Sequence, residues 1–490
     1  MKKGRRLASA LAWASVPTGA AALPPATGTC GAVTVTDGVQ SPSTEAVVRS
    51  AKDWFNQINS AEDAAYVRYV EERGPVLHDP RDRWLDVRDF LRGFQLCGVK
   101  SATTEAVELW VFAPPMDTYA IFRFKPGKTG ADKAELLSHG PTDAVPPGVV
   151  WPPKLTLPAL VQEVDARAAK RAAQDQFSGA ILLAQNGRVL FQKAYGLADR
   201  ARSKPATLAT QFRFGSMGKM FTAVAIMQLV QQGRIDLDGP IGRYLADYPN
   251  RDVATTVTVA HLLSHTGGMG DIFGPDFDRQ KASLRSTKDY VDLYGNRAPE
   301  FAPGSRQSYS NYGFILMGRI VEQVSGLSYD DYLQRNIFKP ARMASTGNRP
   351  ESQILPRRAI SYMGSGARLK DASDTLPLNG TAAGGGYSTV GDFHRFVGGL
   401  TSDRLLRGET LRKLIDGGVK KADGQFAGFD FGGTMGDAGR FIGHGGAAPG
   451  MNGSLQHFLE GGVTVVVLAN RDPPAAESIA VFAAHRLPGN

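Results

Sequence analysis

Ser216-Met217-Gly218-Lys219 is the one place in the chain where a serine stands three residues before a lysine. One turn of helix puts positions i and i+3 on the same face, so hydroxyl and amine can meet. The residues that follow, 220–230, form an apolar helical stretch that stops at Gly233. A helix apolar on nearly all sides is buried, and a lysine at its start is stripped of water. Desolvation lowers a lysine pKa from about 10.4 and frees a neutral amine to take the serine proton. Read alone, the motif serves equally well as a helix cap beside a solvated charge.

Two further segments carry compatible chemistry. Tyr309-Ser310-Asn311 follows the turn Pro303-Gly304 and precedes a helix expected over 313–324. A tyrosine there can act as general base or relay, its phenolate favoured by a neighbouring lysine, while Asn311 can bind the carbonyl region of an ester or amide. Tyr248-Pro249-Asn250 and Tyr294-Gly295-Asn296 share the spacing. Only Tyr309 lies between a Pro-Gly turn and a helix start, which places it at a loop tip facing a cleft; the other two read as turn residues. His444-Gly445-Gly446 precedes a C-terminal hairpin and reads as an edge strand. Consecutive glycines let a substrate backbone approach, and the amide of Ala447 can join that of Ser216 in holding an oxyanion, each donor contributing about 3 kcal/mol. A glycine bend with a structural histidine is the alternative.

The elements that must position these groups follow from periodicity. An amphipathic helix over 157–174 precedes an alternating strand at 179–185, the turn Asn186-Gly187 and a second strand through Val189 and Phe191. Residues 454–458, the turn Glu460-Gly461-Gly462 and the apolar run 463–468 form a second hairpin, closed by a helix over 475–485. Residues 216–400 are mostly helical patterns and Gly/Pro-rich loops. The expected fold class is α+β: an antiparallel sheet built from both ends of this region, with a helical subdomain inserted between them. Residues 43–74 and 81–94 read as helices, 107–112 and 119–124 as strands, and 141–158 as a Pro-rich linker. This small domain of helices then strands, residues 23–150, resembles in element order a cystatin-like or nuclear-transport-factor-like cone.

In their order along the chain, Ser216 to Lys219, Tyr309 to Asn311 and His444 to Gly446 resemble the three motifs of the superfamily of class C β-lactamases, D-alanyl-D-alanine carboxypeptidases and family VIII esterases. The flanking text agrees at 177–199, at 261–268 with its Leu-Leu-Ser-His-Thr-Gly-Gly, at 301–326 and at 444–470, so the resemblance covers about residues 155–490. It implies a β-lactamase/transpeptidase-like fold and a serine hydrolase working through an acyl-enzyme. Ser216 would attack, Lys219 and Tyr309 would move the proton, and the amides of Ser216 and Ala447 would hold the oxyanion. Asn311, His444, Gly445 and Gly446 would line the substrate. No cofactor is implied, and the partner is a small-molecule ester, amide or D-amino-acid peptide. Many members carry Lys-Thr-Gly at the third motif, where the ammonium helps bind a carboxylate. Here the position is His444, and an ordinary histidine, with a pKa of about 6.5, is mostly neutral at pH 7. Anionic β-lactams are then bound more weakly, and uncharged esters, amides or D-amino-acid peptides move forward. A penicillin-binding sensor that acylates without efficient turnover is the alternative, separated from an enzyme by turnover itself.

Composition narrows the remainder. At 490 residues the chain exceeds what one core serves, and 42% apolar with 21% charged residues is an ordinary globular mixture. Lys2, Lys3, Arg5 and Arg6 supply four of the nine net positive charges, and they begin a leader over 1–22: a basic start, an apolar segment over 7–16, then Ala20-Ala21-Ala22. Export to the periplasm or medium is the expectation, with cleavage after Ala22 and no transmembrane anchor in the mature chain, because Pro17 and Gly19 interrupt a segment well short of the roughly 20 residues needed to span. No basic run interleaved with aromatics occurs, which argues against a nucleic-acid partner. Cys30 and Cys97 can close a disulfide worth roughly 4 kcal/mol, or stand as two free thiols; Thr27-Gly28-Thr29 is a poor context for lipid attachment at Cys30. Lys128-Thr129-Gly130 reads as a loop, and the phosphate-binding pattern it mimics fails at Phe122. His261 and His265 stand four apart, but Leu262 occupies the position of a zinc peptidase's glutamate, so the pair reads as structural and no metal is expected.

Overall fold

The computed structural model describes residues 154–488 apart from 351, 376, 378, 425, 436 and 437, and, nearer the N-terminus, residues 30, 42–60, 62–72, 88, 93–103, 105–114, 116–126, 134–142, 146, 147 and 149. The expected leader, the Lys128-Thr129-Gly130 loop and most of the helix expected over 81–94 lie outside the described residues.

Helices α1 (Pro42–Ser60) and α2 (Asp63–Glu72) occupy the stretch that periodicity assigned to one helix. A tertiary contact lies at the division. Asn59, in the last turn of α1, turns its amide to residues outside the helix, donating to Phe94 O at 3.1 Å and accepting from Gly93 N–H at 2.7 Å. The chain then forms a four-stranded antiparallel meander, β1 (Gln95–Ala102), β2 (Val107–Ala113), β3 (Thr118–Pro126) and β4 (Ala134–Thr142). β1 and β4 are additions to the expected strands, and the proline-rich connection begins only after Thr142. Alternation sorts β2 by face: Leu109 and Val111 meet Trp54, Phe55 and Ile58 of α1, while Trp110 and Phe112 face Cys97 and Tyr119. Cys97 is joined to Cys30 by a disulfide.

Helix α3 (Leu157–Ala173) starts at Thr156, whose hydroxyl accepts from Ala159 N–H at 3.5 Å, with Pro158 in the first turn. β5 (Gly179–Gln185) and β6 (Arg188–Tyr195) follow, joined by Asn186 and Gly187 at φ 50° and 79°, the paired positive angles of a tight hairpin turn. The helical region supplies α4 (Lys219–Gln231), α5 (Val259–Leu263) and α6 (Asn311–Ser325). The C-terminal part returns as β7 (Gly432–Thr434), β8 (Arg440–Ala448), β9 (Met451–Phe458) and β10 (Val463–Ala469), closed by α7 (Glu477–His485).

These strands form one six-stranded antiparallel sheet in the order β7-β8-β9-β10-β5-β6. β10 pairs with β5 from Val463–Gln185 to Ala469–Gly179, so the two ends of this region close on each other as the α+β expectation required. Ala180, Leu182, Val466 and Leu468 point to the inserted helices; Ile181, Leu183, Val465 and Val467 point to α3 and α7. The N-terminal meander docks on the α3/α7 side. Asp117 pairs with Arg486, Arg167 donates to Pro114 O at 3.4 Å, and Val481 packs against the core around Trp54. The opposite face is left to the chemistry.

α4 anchors that face. All its residues from Lys219 to Leu229 are buried. Phe221 packs edge-on against Phe214, Phe338 and Phe396 and stacks on Phe393, with centroids 5.0–5.8 Å apart. Replacing it empties the floor beneath Ser216. Phe221→Ala should therefore cost about 3–5 kcal/mol of unfolding free energy in urea titrations; a loss below about 1 kcal/mol would show that α4 is not the structural floor.

Candidate active site

Ser216 sits on a short 3-10 turn, Gly215–Gly218, directly before α4. Gly215 holds φ 52°, and a Cβ there would lie 2.7 Å from the Met451 methyl group, so glycine serves both the angle and the space. Lys219, one turn on, is fully buried. Its Nζ donates to Asn311 Oδ1 at 2.7 Å and Ala383 O at 2.6 Å and lies 3.4 Å from Ser216 Oγ. An amine has two hydrogens and one lone pair. With both hydrogens engaged by the two short bonds, the lone pair is left for the serine. Burial pushes the Lys219 pKa down to about 7, against the opposing charges of Asp430 and Asp271.

Tyr309 precedes α6, whose N-cap Ser310 accepts from Gly313 N–H at 2.9 Å. The phenol hydrogen-bonds Ser216, and Lys219 Nζ lies 4.6 Å from the ring centroid. Tyr309 keeps 43% of its surface exposed. Its proton affinity departs from expectation. Burial, joined by the negative charge of Asp430, pushes the phenol well above its usual range and outweighs the bond from Ser216, so the phenolate is disfavoured. The rival tyrosines are internal: Tyr248 bonds Tyr312 at 3.2 Å, and Tyr294 donates to Ile272 O at 2.8 Å.

Asn311 links Lys219 to Asp271. Its Oδ1 accepts from Lys219, and its Nδ2 donates to Asp271 at 3.0 and 3.1 Å, so Asp271 fixes which end of the amide faces the lysine.

The third segment arrives on β8. Among the described residues, β7 pairs with β8 only at Arg440–Ile442, which leaves residues 443–448 as an edge. That edge lies against the nucleophile turn: a Cβ on Gly446 would sit 2.2 Å from Phe214 O, and one on Gly215 would sit 3.7 Å from Ala447 N. A Cβ on Gly445 would make only an ordinary contact, 3.9 Å from Gly453 O. His444 places Nε2 2.9 Å from Asp430 Oδ2 and Nδ1 beside Gly445 O. Both nitrogens face oxygen atoms.

Sequence reasoning set His261 and His265 together as structural, and the structure separates them. His261 caps α5 with Thr258. His265 enters the site: its ring lies 4.6 Å from that of Tyr309 and its Nε2 2.9 Å from Asp430 Oδ2. His265, Asp271 and Asp430 are the residues that the motif reading missed. His265 carried a faint signal in the Leu-Leu-Ser-His-Thr-Gly-Gly phrase; Asp430 carried none. No cluster of His, Cys, Asp and Glu suited to a metal occurs among the described residues.

A family model described as Beta-lactamase matches residues 164–487. Penicillin-binding protein 4* of Bacillus subtilis (strain 168) is 27% identical over 319 residues, 61% of this chain and 69% of that protein. Esterase EstB of Burkholderia gladioli is 31% identical over 203 residues, 39% of this chain and 52% of that protein. The crystal structure of D-amino acid amidase from Ochrobactrum anthropi SV3 complexed with L-phenylalanine superposes at a TM-score of 0.55 and 27% identity, covering 67% of this chain and 97% of that one.

A lysine titrating near 7 in the folded chain and near 10.4 unfolded makes the unfolded state bind the extra proton between those values. The wild type should gain stability relative to Lys219→Met as pH rises from about 7 to about 10, by up to about 1.4 kcal/mol per pH unit. Urea unfolding of both proteins at several pH values measures this, and parallel curves would place the Lys219 pKa outside that window.

Proposed function

This chain belongs to the beta-lactamase family of serine hydrolases, and on that premise we propose that Ser216 is its nucleophile, in an exported enzyme that cleaves a small ester or amide through an acyl-enzyme. The observation that carries this reading is the buried Lys219 amine, with a pKa of about 7, 3.4 Å from Ser216 Oγ and with its other bonds directed away. In the proposed cycle, Ser216 Oγ attacks the carbonyl carbon and its proton passes to Lys219 Nζ. The amides of Ser216 and Ala447 stabilise the oxyanion. Tyr309, held as a neutral phenol, gives its proton to the leaving group and is reprotonated from Lys219. Water then adds to the acyl-enzyme carbonyl, surrendering a proton along the same path, and Ser216 is expelled with the acid.

The names of two relatives, an esterase and a D-amino acid amidase, support esters and D-amino acid amides as the substrate class. The third motif supports uncharged members of it. Any charge on His444 is matched by Asp430, so its pull on a substrate carboxylate is weaker than that of an unpaired ammonium. The export reading rests on residues 1–22.

Steady-state rates on a short-chain nitrophenyl ester, a D-amino acid amide and a chromogenic cephalosporin test the proposal. Ester or amide turnover should vanish in Ser216→Ala, and cephalosporin turnover should be slight. Lys219→Ala and Tyr309→Phe should each cost at least about a hundredfold in kcat with folding retained. The wild-type kcat/KM should rise with pH through about 7, as Lys219 loses its proton. A Ser216→Ala protein that keeps its rate would remove Ser216 from the mechanism, and a single acylation without turnover would identify a sensor.

A further inference from the structure

One carboxylate touches two parts of the site that arrive from distant segments of the chain. Asp430 follows a short strand, Phe426–Gly428, and its backbone N–H donates to Leu263 O at 3.2 Å, beside the end of α5. Its Oδ2 is 2.9 Å from His265 Nε2 and 2.9 Å from His444 Nε2. The two imidazoles, with side chains 2% and 12% exposed, converge on one oxygen atom.

His265 is built as a clamp on Tyr309. It holds φ 56°, an uncommon angle for a residue with a side chain. From there its carbonyl accepts Ser308 N–H at 2.9 Å and its Nδ1 accepts Ser310 N–H at 3.0 Å, so both neighbours of Tyr309 are tied to the same histidine. The His265 ring backs the Tyr309 ring at 4.6 Å. An Nδ1 that accepts leaves the proton on Nε2, and Nε2–H is donated to Asp430. The carboxylate thereby sets the tautomer on which the Ser310 bond depends. On the other side it accepts from His444, on the strand edge that faces the nucleophile turn.

We propose that Asp430 is a positioning residue: through His265 it fixes Tyr309 beside Ser216, and through His444 it registers the edge of β8 against the same serine. The inference rests on the acyl-enzyme reading and adds to it a residue outside the three motifs. A second consequence follows from charge. Lys219 is faced by Asp430, Asp271, His265 and Tyr309; the two carboxylates favour its proton, and burial opposes them. Removing the charge of Asp430 therefore lowers the proton affinity of Lys219 further.

The test uses the full chain on the nitrophenyl ester, with Ser216→Ala beside Asp430→Asn and Asp430→Glu. Asn removes the negative charge and leaves a neutral oxygen as the acceptor that both imidazoles share, so both bonds weaken. Asp430→Asn should lose about tenfold or more in kcat with KM within about threefold, as a misplaced catalytic group does. The acid limb of its kcat/KM profile should move below that of the wild type. Asp430→Glu keeps the charge at a longer reach; its kcat should fall while its acid limb stays in place, and it decides the matter if the Asn variant does not fold. Wild-type kcat and an unmoved acid limb in folded Asp430→Asn, or wild-type kcat in Asp430→Glu if only that variant folds, would overturn the inference. Retention of rate by Ser216→Ala would instead overturn the reading on which it rests.

Discussion

An amine shut away from water must find acceptors inside the protein or give up its proton, and Lys219 does both. Two fixed oxygens, Asn311 Oδ1 and Ala383 O, take its hydrogens, and burial lowers its pKa to about 7. Each supporting feature bears on that balance. The apolar faces of α4 remove the water, and the aromatic cluster around Phe221 keeps the helix from shifting to regain it. Asp271 holds Asn311 so that an oxygen, and not an NH2, meets the lysine. A core of this kind carries a polar group at its centre that a methionine would occupy at lower cost in desolvation, which is how sites trade stability for reactivity.

The sheet solves a different problem, that of bringing residue 444 to residue 216. Because β10 pairs with β5 across the whole of both strands, the C-terminal hairpin is locked to the start of the hydrolase region, and β8 is carried to the edge where the nucleophile turn sits. The fit is backbone to backbone. Gly446 admits Phe214 O at a distance that no side chain tolerates. Strand, turn and helix thus meet without an intervening side chain, as a site with two backbone amides as its proposed oxyanion donors requires.

What the sequence disclosed follows the range of the forces involved. The β5–β6 hairpin, α3 and the apolar α4 are local patterns, and each lies where periodicity and turn chemistry put it. The Ser216/Lys219 pair was legible for the same reason, since one helical turn is a sequence-local distance. Context also separated Tyr309 from Tyr248 and Tyr294. The failures were long-range. His265 and Asp430 are 165 residues apart, and no spacing rule joins them. A histidine followed by glycines reads as structural until a carboxylate from another segment is seen on its ring. The phenolate expected at Tyr309 is disfavoured because a neighbouring lysine can be inferred from sequence, whereas the burial of the phenol and the carboxylates of Asp430 and Asp271 near it cannot. In the N-terminal region the last turn of α1 serves Gly93 and Phe94 through Asn59, a tertiary demand that helical periodicity does not carry.

The proton affinities of the two groups beside Ser216 are pushed in opposite directions by one cause. Burial disfavours whichever form is charged, so it makes the lysine a better base at neutral pH and the tyrosine a poorer acid, held as a neutral phenol. In the proposed cycle the lowered affinity leaves the amine free to receive the serine proton, while the raised one keeps a proton on the phenol until the leaving group takes it and has it restored from the amine. Had the site been open to water, both would revert toward about 10, the amine charged and the phenol neutral, and neither could start the reaction. Asp430 tempers the effect on Lys219 while adding to it on Tyr309. Negative charge at that place favours the proton on both groups, so the proton affinity of Lys219 is set by how far desolvation outruns the two carboxylates, Asp430 and Asp271. That carboxylate is itself held well below its ordinary range: burial would raise it, and the two histidines that share its oxygen reverse the shift.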